Sequence, residues 1–225
     1  MNIVFDFGAV LFDWQPAQLV SQHFPELSAT PGQARELAQA LFGHADWQGF
    51  DSGTVALDQV VSRSALRLDL PEARLHDALA PIGEQLVPIA CNVQLLAGLR
   101  ERRDSRGDIK LYFLSNMPQP FARALERRHD FLQWFDGGIF SGDVNLGKPD
   151  PEIFRLLASR YRLEGPNTLF IDDSLANVQA AEALGWQTIH CEAPERLTAQ
   201  LMNKSCLSGC HRHPLPVVFR VCAPN

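Results

Sequence analysis

Strand-like and helix-like segments alternate along the chain from residue 87 onward, and this alternation limits the possible folds more than any other feature of the sequence. The patterns predict helices over 87–103, 120–128, 151–160 and 176–184, and strands over 110–115, 138–141, 168–172 and 187–191. Such alternation is typical of βαβ units, which form a parallel sheet covered by helices. Because crossovers in these units are almost always right-handed, we expect the polar strand ends to meet at one edge.

The N-terminal segment adds a fifth strand. Ile3, Val4 and Phe5 form an apolar run typical of a buried strand, and Asp6 and Gly8 follow it. A carboxylate at this position is a poor core residue, whereas ligands of open α/β sheets bind beyond the carboxyl ends of the strands. We therefore predict an α/β fold with a doubly wound, parallel five-stranded sheet, which is a Rossmann-like core.

Residues 14–86 contain no strand-like alternation and are filled by helix-like patterns. These patterns predict helices over 16–24, 33–43, 55–68 and 71–79. We interpret the stretch as a small helical domain inserted into the core. The predicted division is a core of residues 1–13 and 87–200, a helical domain of residues 14–86, and an irregular C-terminal tail of residues 201–225 with little periodicity.

Composition and charge exclude several classes of function. The formal net charge of -6 leaves no basic surface for nucleic acid, so we expect no such partner. No apolar run approaches the roughly 18 residues of a membrane span, and no basic segment precedes the first strand, so we expect neither a membrane anchor nor a signal peptide. The odd number of cysteines, five, argues for reduced thiols in a cytoplasmic protein.

Polar residues follow three of the predicted strands, and a lysine lies in the loop before a predicted helix. They are Asp6, the pair Ser115 and Asn116, the pair Asp172 and Asp173, and Lys148. Each has a simpler interpretation as a turn residue, a solvated charge or a helix cap. Their expected meeting at one edge of the sheet favours a functional site.

The chemistry of this set suits a phosphoryl group and a hard divalent cation. Asp6 and Asp173 offer carboxylate oxygens, which are the ligands that Mg²⁺ prefers. The Ser115 hydroxyl, the backbone N–H of Asn116 and the ammonium group of Lys148 are donors for phosphoryl oxygens. Asp6 would attack phosphorus and form an aspartyl-phosphate, which water then hydrolyses.

Four motifs in this order resemble those of the haloacid dehalogenase superfamily of hydrolases. They are Phe5-Asp-Phe-Gly-Ala-Val10, Phe113-Leu-Ser-Asn116, Gly147-Lys-Pro-Asp150 and Phe170-Ile-Asp-Asp-Ser174, spread over roughly residues 1–200. The first motif and the Ser-Asn pair are most similar to those of the bacterial α-D-glucose-1-phosphate phosphatase branch. The resemblance implies a doubly wound core, a helical cap domain inserted after the first motif, and Mg²⁺ as cofactor.

The resemblance also implies roles for individual residues, in a metal-binding group and a substrate-binding group. The implied metal ligands are Asp6, which is also the nucleophile, Gly8 through its carbonyl, Asp173, and Asp172 either directly or in the second shell; the implied substrate-binding residues are Ser115, Asn116 and Lys148.

Gly8 marks a departure from the superfamily pattern. Most of its phosphatases have an aspartate two residues after the nucleophile as general acid and base, a role that contributes about 10²–10⁴-fold to the rate. Three explanations remain open: a substrate with a good leaving group such as an anomeric phosphate, a substitute acid such as Asp13, or a slow or non-catalytic protein.

Aromatic residues of the expected cap are candidates to contact the substrate. Trp14 and Gln15 follow the first motif, where the cap should begin. His44, Trp47 and Phe50 are a second set, although aromatic residues there are more typical of the core of a small helical bundle.

The sequence therefore predicts a Mg²⁺-dependent phosphatase that acts on a small phosphorylated metabolite. We expect a sugar phosphate as substrate and a monomer or homodimer as the oligomeric state. One alternative is a metal-independent 2-haloacid dehalogenase, which shares the nucleophile but has no need of paired aspartates. The other is a non-catalytic phosphometabolite-binding protein, which Gly8 would permit.

Overall fold

The computed structural model describes residues 1–204 of the chain. In chain order, the strands are β1 (Asn2–Phe5), β2 (Phe12–Asp13), β3 (Val87–Pro88), β4 (Lys110–Ser115), β5 (Gly137–Phe140), β6 (Thr168–Asp172) and β7 (Gln187–His190). The helices are α1 (Pro16–His23), α2 (Pro31–Phe42), α3 (Ala45–Asp51), α4 (Leu57–Leu68), α5 (Glu72–Leu79), α6 (Ile82–Gln85), α7 (Ala90–Arg106), α8 (Gln119–Arg128), α9 (Pro151–Tyr161), α10 (Leu175–Ala183) and α11 (Leu197–Asn203). Short 3₁₀ helices span Asp130–Trp134, Ser141–Asp143, Gly165–Asn167 and Pro194–Arg196.

Five strands form one parallel sheet in the order β5-β4-β1-β6-β7. The central strand is β1, where Phe5 pairs with Phe113 of β4 on one side and with Ile171 of β6 on the other. The chain builds outward from β1 first to one edge and then to the other, which makes the end of β1 a topological switch point. The predicted doubly wound, parallel five-stranded sheet is confirmed.

Helices cover both faces of the sheet, as its continuous apolar strands require. One face, which carries Ile3 and Phe5, packs against residues of α7, α8 and α11. The other face, which carries Val4, packs against residues of α9 and α10. All three of these β1 side chains are fully buried, so the site at the end of β1 rests on a rigid support.

Six helices, α1 to α6, fill the stretch between β2 and β3. These two short strands pair antiparallel, with Phe12 opposite Pro88 and Asp13 opposite Val87. The helical stretch therefore leaves the core and returns to it at one place. An apolar interface joins it to the core, because Phe50 of α3 stacks edge-on against Phe121 of α8 with ring centroids 5.3 Å apart.

Several predicted boundaries differ from the structure. The sequence patterns missed β2, β3, α3 and α6, which are too short to display a period. The helix predicted over 87–103 begins at Ala90, because β3 takes the preceding residues. It then continues to Arg106, where the left-handed Gly107 ends it.

The predicted irregular tail of residues 201–225 begins too early. Helix α11 runs to Asn203, and the side chain of Leu201 is buried against the core. Residues 205–225 of that predicted tail lie outside the described residues. Among residues 1–204, no helix combines the length and apolar character needed to cross a bilayer.

Candidate active site

Asp6 lies one residue beyond the carboxyl end of β1, at the centre of the sheet. Its backbone N–H donates to the carbonyl of Ile171 over 2.9 Å, so the parallel ladder continues past the strand and fixes the residue. The carbonyl of Phe7 then accepts hydrogen bonds from the backbone N–H groups of residues 10–12. The chain turns back at this point, and Asp6 is held with only 6% of its surface exposed.

Lys148 reaches Asp6 from the loop before α9. Its Nζ lies 2.8 Å from Oδ1 of Asp6 and 2.6 Å from Oδ2 of Asp172, and the residue is 6% exposed. Burial alone would lower the pKa of Lys148, but the carboxylates of Asp172 and Asp6 outweigh it and raise that pKa above its ordinary value. Lys148 therefore keeps its positive charge, and it links Asp6 beyond β1 to Asp172 at the end of β6.

The two adjacent aspartates after β6 have different surroundings. Asp172 is 0% exposed, and its second oxygen, Oδ1, accepts from the backbone N–H of Ser174 over 2.8 Å and from Nδ2 of Asn177 over 3.0 Å. Both oxygens of Asp172 are thus in use inside the protein. Asp173 instead lines a cavity beside Asp6.

One ammonium group faces three carboxylates at this edge of the sheet. Oxygens of Asp6, Asp172 and Asp173 lie within 4.8 Å of one another. Burial raises the pKa of Asp6 to about 7, with Lys148 opposing the rise and the two other aspartates adding to it. Burial and Asp172 also raise the pKa of Asp173. Uncompensated carboxylates of this kind fit Mg²⁺, and of the predicted ligands Asp6, Asp173 and Gly8 line the cavity.

Ser115 and Asn116, the predicted phosphate-binding residues at the end of β4, differ in which hydrogen-bonding groups remain unused. Asn116 donates from Nδ2 to the carbonyl of Lys148 over 2.9 Å and accepts at Oδ1 from the Lys148 backbone N–H over 2.8 Å. Its side chain therefore fixes the Lys148 loop, which leaves the backbone N–H as the predicted donor. Ser115 Oγ is buried without a hydrogen-bond partner among the described residues, so it is an unused polar group.

A cavity of about 200 Å³ opens at this strand edge, where the helical stretch meets the core. Its polar lining residues are Asp6, Asp51, Asn116, Lys148, Asp173 and Asn177. Its other lining residues are Gly8, Trp14, Trp47, Ile82, Leu86, Met117, Pro118 and Phe121. The structure thus brings the predicted residues together around one cavity, with Ser115 and Asp172 buried outside its lining.

The remaining sequence candidates fall into two groups. Trp14 lines the cavity as proposed, and so does Trp47, for which a purely core position was the expected one. Asp13 does not line it; the carboxylate is exposed and accepts hydrogen bonds from Nε2 of Gln15. His44 instead caps α3, where its Nδ1 accepts from the backbone N–H of Asp46.

Sequence reasoning missed Asp51, the last residue of α3. It lines the cavity with Asp6, and burial raises its pKa well above the ordinary range. No local pattern singles it out, because its position depends on how α3 packs against the core.

The arrangement places the carboxylate of Asp6 at a switch point, the buried cation of Lys148 beside it, and a small cavity that both residues line. Transfer of a phosphoryl group to a carboxylate requires groups of these kinds.

Known proteins with similar sequences include phosphatases. A sesquiterpene phosphatase of Aspergillus oryzae is 25% identical over 83% of this chain and 87% of its own length. A phosphorylated carbohydrates phosphatase of Thermotoga maritima is 26% identical over 84% of this chain and 83% of its own length.

Solved structures share the fold. A haloacid dehalogenase family enzyme of Bacteroides thetaiotaomicron, in complex with magnesium and inorganic phosphate, superposes with a TM-score of 0.63 at 18% identity, over 84% of this chain and 92% of that one. The L-2-haloacid dehalogenase of Xanthobacter autotrophicus superposes with a TM-score of 0.60 at 22% identity, over 90% of this chain and 82% of that one. The sequence model of haloacid dehalogenase-like hydrolases matches residues 2–185. The chain therefore belongs to the haloacid dehalogenase-like hydrolase family.

Proposed function

We propose that the protein is a Mg²⁺-dependent phosphatase that hydrolyses a small phosphorylated metabolite through an aspartyl-phosphate on Asp6. The observation that carries the proposal is the contact of Lys148 with both Asp6 and Asp172, beside Asp173 at the cavity. Phosphatases among the similar proteins support the same reaction class.

In the proposed reaction, a carboxylate oxygen of Asp6 attacks phosphorus while the bond to the alcohol oxygen breaks. The Asn116 backbone N–H and Lys148 hold the phosphoryl oxygens as charge develops on them. The Ser115 hydroxyl, which is buried outside the cavity lining, stays a predicted third donor. Water then hydrolyses the aspartyl-phosphate and regenerates Asp6. Asp172 acts through Lys148, because it holds the ammonium group against Asp6.

Magnesium supplies positive charge beside the phosphoryl oxygens when it is bound. We propose Asp6, Asp173 and the Gly8 carbonyl as its protein ligands. Asp172, whose two oxygens are already used by protein donors, is proposed to orient Lys148 and not to bind the metal directly. This indirect role is one of the two that the resemblance implies for Asp172.

A metal-independent dehalogenase is a weaker alternative. It would use Asp6 in the same way, and a dehalogenase is among the proteins of similar fold. It gives no role to the uncompensated carboxylate of Asp173 at the cavity. A cytoplasmic location, a sugar-phosphate substrate and a monomeric or homodimeric state stay predictions.

Replacement of Asp6 by asparagine tests the proposal. The Asp6→Asn variant keeps the shape of the side chain but lacks the nucleophilic carboxylate, so we expect phosphate release with Mg²⁺ to fall by roughly 10⁴-fold or more. The melting temperature should not fall, because burial of an ionised Asp6 is unfavourable. If Asp6→Asn released phosphate at more than about a tenth of the wild-type rate, the proposed mechanism would be ruled out.

A further inference from the structure

The cavity divides into a polar part and an apolar part. The proposed function assigns Asp6, Asn116, Lys148 and Asp173 to the phosphoryl group and the metal. The rest of the lining must then face the leaving group of the substrate. This part consists mainly of apolar side chains from the helical stretch and from the start of α8, namely Trp14, Trp47, Ile82, Leu86, Met117, Pro118 and Phe121.

Few polar side chains remain to bind hydroxyl groups of a leaving group. Among residues 1–204, the polar side chains that line the cavity outside the phosphoryl set are Asp51, Asn177 and the indole N–H groups of Trp14 and Trp47. The amide nitrogen of Asn177 already donates to Asp172. A buried sugar would therefore leave several hydroxyl groups unpaired, and each unpaired hydroxyl weakens binding by roughly tenfold. The lining instead suits a compact aliphatic or aromatic alcohol.

Trp47, one turn earlier in α3, lines the same cavity as Asp51. Backbone contacts with the core hold Asp51 at this apolar part. Its backbone carbonyl accepts a hydrogen bond from Oγ of Ser141, which follows β5 in the core. The next turn also approaches the core closely, since a Cβ on Gly53 would lie 2.6 Å from the carbonyl oxygen of Gly142.

The electrostatic surroundings favour the protonated form of Asp51. Burial raises its pKa well above the ordinary range, nearby Lys148 opposes that rise, and Asp6 adds to it. Besides Asp51, the carboxylates in the cavity lining are those of Asp6 and Asp173. A carboxyl group with a raised pKa is suited to donate its proton to a leaving alkoxide.

We propose that the cavity accepts phosphate monoesters of compact apolar alcohols and that Asp51 is the general acid that protonates the departing alcohol oxygen. This inference rests on the proposed phosphatase function. It replaces the sugar phosphate expected from the sequence with an apolar substrate class. It also supplies the acid that Gly8 cannot provide and that Asp13, outside the cavity, is not placed to provide.

The proposed steps balance in atoms and charge. First, an oxygen of Asp6 bonds to phosphorus, the bond from phosphorus to the alcohol oxygen breaks, and Asp51 gives its proton to that oxygen. Next, the Asp51 carboxylate takes a proton from water as the water oxygen bonds to phosphorus and the bond to Asp6 breaks. Inorganic phosphate leaves, and Asp51 is again protonated.

Three substrates with Mg²⁺ test both parts of the proposal. Benzyl phosphate and glucose 6-phosphate both release a primary alcohol, but only the first is apolar, so we expect its kcat/KM to be at least about tenfold higher. Equal or better hydrolysis of glucose 6-phosphate would overturn the apolar substrate class. No hydrolysis of these two or of p-nitrophenyl phosphate would overturn the proposed function itself.

The Asp51→Asn variant tests the acid. The amide keeps the shape but cannot donate a carboxylic proton, so kcat/KM for benzyl phosphate should fall by about 10²–10³-fold. p-Nitrophenyl phosphate has a leaving group that needs no proton, and its kcat/KM should fall by less than about tenfold. Rapid mixing should then show about one equivalent of p-nitrophenolate per enzyme before slow turnover, because the variant also lacks the base for the second step.

Two controls separate chemistry from structure. Asp58→Asn changes an exposed acidic residue of the same helical stretch and should leave all three substrates unaffected. Inhibition by inorganic phosphate should be unchanged in Asp51→Asn, since the phosphoryl end is intact. Equal losses of kcat/KM for benzyl and p-nitrophenyl phosphate, or no loss for benzyl phosphate, would overturn the role of Asp51.

Discussion

At the scale of single residues, the adjacent aspartates Asp172 and Asp173 have different surroundings. The oxygens of Asp172 are all used by Lys148, Ser174 and Asn177, whereas Asp173 faces the cavity. Successive residues at a strand end point to opposite sides of the sheet, so adjacent carboxylates need not share an environment. Residue type alone does not distinguish a metal ligand from a residue that positions a lysine.

Asparagine variants of the two residues should therefore behave differently. Asp173→Asn should abolish the rise in melting temperature that Mg²⁺ causes, because a proposed ligand is lost. Asp172→Asn should keep much of that rise but lower the free energy of unfolding by roughly 3 kcal/mol, because buried Lys148 loses a paired charge. Thermal and urea unfolding with and without Mg²⁺ measure both effects, and a full Mg²⁺ response in Asp173→Asn would contradict the assignment.

At the scale of elements, the ends of helices are set by single residues with unusual backbone angles. Helix α9, which packs on the sheet face that carries Val4, ends at Arg162 with φ 56 and ψ 47. This left-handed conformation strains a residue with a Cβ, and glycine is the usual residue at such a position.

Replacement of Arg162 by glycine should raise the free energy of unfolding by roughly 0.5–1 kcal/mol, because glycine adopts the left-handed conformation without strain. The matched control is Arg160→Gly, two residues earlier and inside α9, which should lower it by about the same amount. Urea unfolding at equilibrium measures the pair. A loss of stability in Arg162→Gly would show that its side-chain contacts outweigh the backbone strain.

At the scale of the whole molecule, several carboxyl groups are buried together where the helical stretch meets the core, with Lys148 as the cation beside them. Burial raises the pKa values of Asp6, Asp51 and Asp173. A carboxyl group with a raised pKa in the folded state contributes stability that is lost as the pH rises through that pKa. For Asp6 the loss extends from its ordinary value of 3.8 to about 7.

The metal-free protein should therefore become less stable as the pH rises from about 4 to about 7. Mg²⁺ binds the deprotonated carboxylates, so the rise in melting temperature that it causes should be larger at about pH 8 than at about pH 5.5. Thermal unfolding over a pH series, with Mg²⁺ or with a chelator, measures this coupling. If Mg²⁺ raised the melting temperature equally at both pH values, the proposal that carboxylates with raised pKa values bind the metal would be contradicted.

The sequence by itself determined the sheet and the residues at its switch point. Apolar runs that end in Asp6, Ser115 and Asp172 mark the strands, and the handedness of βαβ crossovers brings the strand ends together whatever the intervening length. Local patterns were sufficient because strand periodicity and crossover handedness depend on short stretches of chain.

Only the tertiary structure decided which side chains face the cavity. Contacts between segments far apart in sequence give Asp172 and Asp173 different surroundings and let the Asn116 side chain fix the Lys148 loop. They also place Asp51 and Asp6 in the lining of one cavity. Such contacts follow from the packing of α3 and its neighbours against the core. No periodicity in a single segment encodes that packing, because the free energy that fixes it comes from surfaces on both partners.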